Sequence, residues 1–424
     1  MRDQLLRWID SDRDRIVAFL QDFVRAATPN PPGDTTPAMA RVRQLLEQEQ
    51  IDYRVVERDA KMPNLVASKT FGPGAKHLVL NGHIDVFPVE NAEQWKSGPW
   101  DAAIVDGAIY GRGSCDMKVG TTSALFTFVY LSRVRDALQG KLTLTVVSDE
   151  ETFGPNGARH LFDVCPELVT GTACLNGEPS SPYTVRFGER GALWLRFTLT
   201  TPGGHGAYPH MSPNAIELAY PLIQDLKAFT RHPFTEPPAL AAALEASKEA
   251  VDKANGKGAA AVARSITMNV GTMTAGPKVN MIASRCQFEI DYRLPNGVSK
   301  AEALAWVDGL RSKHNFTYEV LMSNDPNWCE PDCELARIVR RNAKAITGIE
   351  PVNVIGLGNT DARLWRYRNV PAVVYGPGPR GMGSVDEHVP LDEAFNVIRC
   401  HVLSAFDYLH GTEQRTERGR DMSQ

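Results

Sequence analysis

The stretch Leu-Val-Leu-Asn-Gly-His-Ile-Asp, residues 78–85, decides the fold. Its three leading aliphatic residues predict a strand that is covered on both faces, as in the parallel sheet of an α/β domain. Side chains two residues apart on a strand point the same way, so we expect His83 and Asp85 to share a face. That arrangement is typical of a metal-ligating imidazole with a carboxylate behind it, although a His-x-Asp pair alone is more often a surface or capping feature.

The size and composition of the chain are those of an ordinary globular protein with more than one core. It has 424 residues, of which 43% are hydrophobic and 23% charged, and its formal net charge is −4. These values predict two domains and no electrostatic attraction to nucleic acid or to a membrane. No apolar run approaches the ~20 residues of a membrane span, and the amphipathic N-terminus does not resemble a signal peptide. The seven scattered cysteines predict reduced thiols and a cytoplasmic protein.

The alternation of predicted helices and strands divides the chain into three segments. Residues 1–187 and 324–424 alternate buried strands with helices, which predicts an α/β catalytic domain with a mixed sheet. Residues 188–323 predict a βαββαβ unit, an inserted α+β domain of ferredoxin-like type. Within it, residues 233–262 are rich in Ala, Lys and Gly with little pattern, so we expect a mobile insertion there. The charged tail after Gly411 is predicted to be disordered.

Acids and histidines collect where the predicted strands end. In α/β sheets, functional sites form at the carboxyl ends of the strands. Mixed imidazole and carboxylate ligands are typical of zinc and its first-row neighbours, whereas calcium takes oxygen ligands and structural zinc takes cysteines. Five direct ligands would hold two metal ions that share one carboxylate, with a bridging hydroxide as nucleophile. The acids and histidines in question are His83, Asp85, Asp116, Glu150, Glu151, Glu178 and His388.

A set of short motifs resembles one known family in both content and order. This is the co-catalytic metallopeptidase and deacylase family that includes acetylornithine deacetylase, succinyl-diaminopimelate desuccinylase, aminoacylase and glutamate carboxypeptidase. The resemblance implies a two-metal hydrolase whose inserted domain serves as lid and dimerisation domain. The motifs are Gly-His-Ile-Asp-Val (82–86), Gly-Arg-Gly-Ser-Cys-Asp-Met-Lys (111–118), Asp-Glu-Glu (149–151), Gly-Glu-Pro-Ser (177–180), Gly-Gly-His-Gly-Ala-Tyr-Pro-His (203–210) and Glu-His-Val-Pro (387–390).

The resemblance assigns a metal-binding role to five residues. Asp116 would bridge the two ions, Glu151 and His388 would complete one site, and His83 and Glu178 would complete the other. Zinc is the expected metal, and cobalt or manganese would suit the same ligands.

The resemblance also assigns the groups around the metals. Glu150 would be the general base that takes a proton from the attacking water and passes it to the leaving amine. Asp85 would orient His83, and the Asp116–Met117 peptide bond would be cis. Asp149 and Asp386 are left open between a supporting role and a solvated turn, and Glu387 would help to tune the neighbouring ligand His388.

Further candidates lie in and beyond the inserted domain. In relatives, the histidine that matches His205 reaches into the active site of the partner subunit and stabilises the oxyanion, which implies a homodimer through the inserted domain. Asn280 and Arg293 match positions that bind a substrate carboxylate or line the cleft. Asn359 and Thr360 precede a predicted helix and are well placed for an anionic group.

The function implied by the resemblance is hydrolysis of the amide bond of a small N-acyl amino acid or related compound, nearest to acetylornithine deacetylase and succinyl-diaminopimelate desuccinylase. Carboxypeptidase, deformylase and catabolic amidohydrolase or deaminase action remain alternatives, because a fold does not determine its substrate. Glu189 argues against desuccinylation. The desuccinylase branch of the family tends to carry a second basic residue at this position, and an acid there would repel a succinyl carboxylate. A non-catalytic binding protein would usually have lost a ligand, and the His-Glu-x-x-His motif of mononuclear metalloproteases is not in the sequence.

Overall fold

The N-terminal part of the chain carries most of the central sheet. The computed structural model describes residues 1–410, so the tail after Gly411 for which we predicted disorder lies outside the described residues. The strands of the N-terminal part are β1 (Arg54–Val56), β2 (Asn64–Gly72), β3 (His77–His83), β4 (Ala103–Val105), β5 (Ala108–Tyr110), β6 (Gly140–Val147), β7 (Ala173–Asn176) and β8 (Thr184–Glu189). Its helices are α1 (Arg2–Ser11), α2 (Arg13–Arg25), α3 (Thr36–Gln48), α4 (Val119–Arg133), α5 (Ala158–Val164) and α6 (Pro166–Val169).

The middle and C-terminal parts follow in chain order. The middle strands are β9 (Gly191–Thr200), β10 (Gly204–His205), β11 (Thr267–Ala275), β12 (Met281–Ile282), β13 (Arg285–Leu294) and β14 (Thr317–Asn324), and the middle helices are α7 (Ala215–Ala228), α8 (Pro238–Ala246), α9 (Lys248–Asn255), α10 (Ala259–Ala263) and α11 (Lys300–Gly309). The C-terminal elements are β15 (Asn327–Trp328), α12 (Glu334–Thr347), β16 (Val352–Gly356), α13 (Ala362–Arg366), β17 (Ala372–Val374), β18 (His388–Pro390) and α14 (Leu391–His410).

The central sheet is mixed, as predicted, and has nine strands within residues 1–410. Its order is β1-β2-β6-β3-β7-β17-β8-β15, with β16 paired to β8. Strands β6, β3, β7 and β17 run parallel to one another, while β2 pairs antiparallel with β6 at one end of this set and β8 pairs antiparallel with β17 at the other. The carboxyl ends of the parallel strands therefore meet at one edge of the sheet.

Alternating residues of β3 enter two different hydrophobic cores. Leu78 and Leu80 pack into the larger core with residues of α3, α4, α12 and α14. Val79 points to the opposite face and packs with residues of α5, α6 and α13, among them Trp365. This two-sided burial confirms the prediction made from the aliphatic run that opens the strand.

The inserted unit has the predicted ferredoxin-like topology. Its sheet has the order β11-β13-β9-β14 and is antiparallel throughout. Helices α7 and α11 pack on one face of this sheet and bury the alternating residues of β9, such as Leu193, Leu195 and Phe197. The predicted limits of the inserted domain, residues 188 and 323, stay a prediction, although the four strands of the sheet lie between Gly191 and Asn324.

The expectation of a mobile insertion at residues 233–262 is wrong. This segment forms the three short helices α8, α9 and α10, and it packs on the catalytic sheet instead of on the unit in which it is inserted. Leu240 and Leu244 contact Phe187 and Ile355. A short helix contains only a few large apolar residues, so its helical period could not be recognised in this alanine-rich segment.

Three further features complete the fold. Asp12 separates helix α1 from helix α2. The Asp116–Met117 bond is cis, as the resemblance implied. Within the described residues, no helix has the length and apolar character needed to span a bilayer.

Candidate metal centre and active site

The predicted metal ligands come together because they follow neighbouring parallel strands. His83 ends β3, and Glu150 and Glu151 follow the end of β6. Glu178 comes two residues after β7. Strand β3 pairs with both β6 and β7, so these side chains start from adjacent positions at one edge of the sheet.

Three of the predicted ligands form a compact buried cluster. His83 Nε2 lies 3.2 Å from Asp116 Oδ1 and 3.3 Å from Glu178 Oε1. One ligand atom from each of the three residues lies within 4.8 Å of the other two. The other ring nitrogen of His83, Nδ1, lies 2.9 Å from the backbone oxygen of Asp85, which leaves Nε2 directed at the two acids.

The charges of this cluster fit a divalent cation. Burial, and then the neighbouring Asp116, raise the pKa of Glu178 to about 8. Burial is also the main cause that raises the pKa values of Glu150 and Glu151. Glu151 Oε1 and Glu178 Oε1 are buried and have no hydrogen-bond donor in the described part of the chain. Buried carboxylates without donors are costly unless a cation binds them, so the residues present fit a metal centre.

The ligands proposed for the second ion are less closely gathered. The compact cluster of residues 1–410 contains neither Glu151 nor His388. The ring of His388 stacks on Tyr110 with 4.6 Å between centroids, and its Nδ1 lies 2.8 Å from the backbone oxygen of Asp386. After burial, Asp116 is the largest cause of the raised pKa of Glu151. The assignment of Glu151 and His388 to one ion stays a prediction.

The carboxylate of Asp85 holds the loop after β6 more directly than it holds His83. Its Oδ1 is 3.5 Å from His83 Nδ1. The backbone N–H groups of Glu150 and Glu151 donate to the Asp85 carboxylate at 3.2 Å and 3.1 Å, and Asn30 Nδ2 donates at 2.9 Å. Asp85 therefore positions the two glutamates through the backbone, while its own backbone oxygen orients the imidazole.

Glu387 holds the loop that carries Asp116. One of its carboxylate oxygens accepts hydrogen bonds from the backbone N–H groups of Cys115 at 2.8 Å and Asp116 at 3.1 Å. The other oxygen accepts from Arg112 Nη1 at 2.6 Å. Glu387 therefore supports the loop of the predicted bridging ligand, while its expected influence on His388 stays a prediction.

Arg363 is a partner of Glu150 that the sequence analysis missed. Its Nη1 lies 3.2 Å from Glu150 Oε1, and both side chains are buried. The guanidinium also lies over the ring of Phe153, 4.9 Å from its centroid. The only signal in the sequence was its position one helical turn after Thr360, which is too common to single out an arginine.

A cavity of about 610 Å³ opens beside the cluster. Its metal side is lined by Asp116, Glu150, Glu151 and Glu178, and its other polar walls by Arg186, Arg293, Asn359 and Thr360. Arg293, Asn359 and Thr360 were predicted from the sequence and line this cavity. Arg186 was not predicted.

His205 and Asn280 lie together, but they are not among the residues that line this cavity. They sit where β10 pairs with β12, and the N–H of Gly206 donates to the backbone oxygen of Asn280 at 2.8 Å. His205 is exposed, and its Nδ1 accepts from the N–H of Ala207 at 3.1 Å. Within one protomer, neither side chain forms part of the metal-side cavity.

The carboxylate that Thr360 binds belongs to the protein itself. Glu189 accepts hydrogen bonds from the N–H and hydroxyl of Thr360 at 3.1 Å and 2.5 Å, and it pairs with Arg366 at 2.9 Å. Asn359 Nδ2 donates to the backbone oxygen of Arg190 at 2.5 Å. Glu189 is fully buried and its charge is paired with that of Arg366, so the predicted repulsion of a succinyl carboxylate by this residue does not apply.

Comparison with known proteins agrees with this site. The model of the family described as "Peptidase family M20/M25/M40" matches residues 79–405. The chain belongs to peptidase family M20/M25/M40. It is 29% identical over 391 residues to a succinyl-diaminopimelate desuccinylase of Cereibacter sphaeroides, covering 88% of this chain and 93% of that protein. A protein of the same name from Xanthomonas oryzae is 30% identical over 336 residues, with 76% and 80% covered.

Solved structures share the fold of this M20 family member. The M20 family metallo-carboxypeptidase Sso-CP2 from Sulfolobus solfataricus superposes with a TM-score of 0.79 at 18% identity, covering 94% of this chain and 99% of the other. The dipeptidase Dug1p from Saccharomyces cerevisiae gives 0.73 at 14% identity, covering 97% and 99%. Family membership and the buried ligand cluster together make the protein a hydrolase of C–N bonds that depends on a dinuclear metal centre.

Proposed function

We propose that the protein hydrolyses the amide bond of a small N-acyl amino acid, with an activity close to that of its desuccinylase relatives. The observation that carries the proposal is the cavity lined by Asp116 and Glu178 of the buried cluster, by the acid Glu150 and by the cation Arg293. A metal centre with an acid beside it suits amide hydrolysis, and an arginine suits the carboxylate of an amino acid.

The metal ions are proposed to be zinc, with cobalt or manganese as substitutes. Asp116 would be shared between them, His83 and Glu178 would hold one, and Glu151 and His388 the other. When bound, the two ions supply Lewis acidity to the scissile carbonyl and to the attacking water.

Glu150 is the group that moves the proton. It lies in the same cavity wall as the ligands, and its pKa is raised by burial and then by Glu178, so it can hold a proton between two steps. It takes a proton from the attacking water and delivers it to the nitrogen of the leaving amine. Arg363, 3.2 Å from Glu150 Oε1, keeps the carboxylate directed at the cavity.

The active form is proposed to be a homodimer through the inserted domain, in which His205 of each protomer completes the site of the other and stabilises the oxyanion. Asn280 lies beside His205 and would line the same part of the cleft. The proposal is supported by large exposed apolar side chains near His205, since exposed apolar patches mark interaction surfaces. These are Tyr208 at 57%, Met211 at 72%, Tyr220 at 68% and Val279 at 100% exposure.

A cytoplasmic location is proposed from the state of the thiols. All seven cysteines are free, and five of them are buried. A reducing compartment keeps such thiols unpaired.

The proposed function is tested by release of free amine from a panel of N-acyl compounds, each measured with and without a chelator. The panel contains acetyl, formyl, succinyl and aroyl amino acids, dipeptides and simple aromatic amides. We expect chelator-sensitive hydrolysis of N-acyl amino acids that have a free carboxylate. Hydrolysis of dipeptides alone would replace the proposal by a peptidase activity, and chelator-insensitive hydrolysis would contradict it.

A further inference from the structure

The segment of α8, α9 and α10 has no role in the function described so far, although it is fixed to the catalytic sheet. Val251 of α9 packs against Val354 of β16, together with Ala259 and Ala260 of α10. Lys253 Nζ lies 3.9 Å from the centroid of the Tyr183 ring, next to β8. These contacts place the C-terminal end of α9 over the strands β8 and β16.

The end of α9 forms part of the wall of the metal-side cavity. Ala254 and Asn255 line it together with Leu357 and Gly358 of the loop that follows β16. Ala254 is half-buried, and its methyl group takes up little of the cavity, so a larger residue at this position would narrow it. This part of the wall belongs to the segment of α8, α9 and α10. The segment lies within the inserted unit in sequence, but its helices pack on the catalytic sheet.

Arg186 lies on the strand beneath this wall. It belongs to β8, and in the sheet register it is the partner of Val354, the residue on which α9 packs. A Cβ atom at Gly356 would lie 3.1 Å from Arg186 Cδ, so the glycine leaves room for the arginine stem. The side chain lines the cavity, and its desolvation lowers the pKa of the guanidinium.

Arg186 has no hydrogen-bonded or ion-paired carboxylate among the described residues, in contrast to Arg112, Arg363 and Arg366. A desolvated cation without a partner is costly, and a ligand that supplies the missing anion removes that cost. The acids that oppose this lowering of its pKa are Glu178, Glu189 and Asp116, of which Glu189 is paired with Arg366 and the other two are predicted metal ligands. The paired arginines are Arg112 with Glu387 at 2.6 Å, Arg363 with Glu150 at 3.2 Å and Arg366 with Glu189 at 2.9 Å.

We propose that Arg186 and the end of α9 form a subsite that selects the acyl group, in which Arg186 binds a terminal carboxylate and Ala254 limits the length of the chain that carries it. The subsite rests on the proposed function and narrows it to N-(ω-carboxyacyl) amino acids of short chain length. Arg293, whose Nε lies 2.9 Å from Asp291 on the other wall, stays available through its remaining nitrogens for the carboxylate of the amino acid.

The charge of the subsite is tested with N-succinyl, N-glutaryl and N-adipyl amino acids against the neutral N-butyryl compound. Arg186→Met is expected to lower kcat/KM for the carboxyacyl substrates by on the order of 30-fold or more relative to N-butyryl, because truncating one partner of a buried charge pair is that costly. Arg186→Lys keeps the charge and is expected to retain most of the preference. Equal losses on charged and neutral substrates would overturn the role of Arg186.

The length limit is tested with Ala254→Leu, which places a larger side chain in the wall. It is expected to reduce hydrolysis of the N-adipyl compound most and of the N-succinyl compound least. Ala246→Leu is the matched control, because Ala246 lies on the same segment, is exposed and lines a different surface depression. If Ala254→Leu slows all chain lengths equally, or if Ala246→Leu gives the same shift, the end of α9 does not limit the acyl chain.

Binding separates failure of the subsite from failure of the proposed function. Calorimetric titration of succinate, glutarate and adipate into the metal-loaded protein is expected to show binding that weakens with chain length and is lost in Arg186→Met. This result would support the subsite even if no N-acyl compound were hydrolysed. Dicarboxylate binding that Arg186→Met leaves unchanged would overturn the subsite even if the wild-type protein were an active N-acyl hydrolase.

Discussion

The metal side of the cavity and the inserted domain are built in opposite ways. His83, Asp116 and Glu178 are buried at the ends of sheet strands or in a loop held by hydrogen bonds, and they gather within a single protomer. His205 stands exposed on a two-residue ribbon outside the cavity. The catalytic sheet thus gathers three of the predicted metal ligands within one protomer, whereas the proposed oxyanion group, His205, would have to be brought in by a partner subunit or by movement of the inserted domain.

The largest effect is expected from the metal side. Asp116→Asn should lose bound metal and reduce turnover by on the order of 10³-fold or more, because the ions activate both the water and the carbonyl. Metal content measured by elemental analysis beside amine release checks this, with chelated and re-metallated wild-type protein as control. A variant that keeps both ions and full activity would show that the buried cluster is not the catalytic centre.

Next in size is the proton-transfer step. Glu150→Gln should keep both metals and lower kcat by about 10²–10⁴-fold, the usual contribution of a general base. Glu151→Gln is the matched control and should lose metal. If Glu150→Gln loses metal and Glu151→Gln keeps it, the two glutamates have exchanged roles.

A substitution of His205 in the inserted domain is expected to lower the turnover rate without changing the metal content. His205→Ala should lower kcat by about 10²-fold, as for removal of one oxyanion donor, with metal content unchanged. Mixing His205→Ala with Glu150→Gln subunits should restore about a quarter of the wild-type activity, because half of the dimers are mixed and each contains one complete site. No recovery after subunit exchange would place His205 in its own protomer's site or outside catalysis.

The smallest effect concerns the stability of the metal-free protein. Burial raises the pKa of Glu178 to about 8 from its usual value of 4.5, so at a pH between these two values the folded chain keeps a proton that the unfolded chain has lost. The free energy of unfolding should therefore be greatest below the pKa of the unfolded chain. It should fall as the pH rises towards the pKa of the folded chain, by up to ~1.4 kcal/mol per pH unit for this group. Urea unfolding of chelated protein from pH 5 to 8 measures the slope, which Glu178→Gln should reduce. A stability that rises with pH over this range would contradict the assigned cause.

The strand β3 was predictable because its aliphatic residues face two cores. Its last residue, His83, is itself the predicted metal ligand. The inserted sheet was predictable for a different reason, since alternate residues of β9 such as Leu193, Leu195 and Phe197 are buried in a single core. Helix α9 was missed because it exposes much of its surface and packs through a single valine, Val251. Arg363 and Arg186 were missed because their role depends on which residue stands opposite them, and only the folded chain shows this.

Glu387 has a consequence for how the protein is made. Its carboxylate holds the backbone of Cys115 and Asp116, residues that precede it by 272 and 271 positions in the chain. A ribosome adds about 5–20 residues per second, so the loop that carries Asp116 leaves the ribosome well before the residue that fixes it. The backbone of this loop can therefore be held in place only after Glu387 has been synthesised, and a chain truncated before Glu387 would lack the carboxylate that holds Asp116.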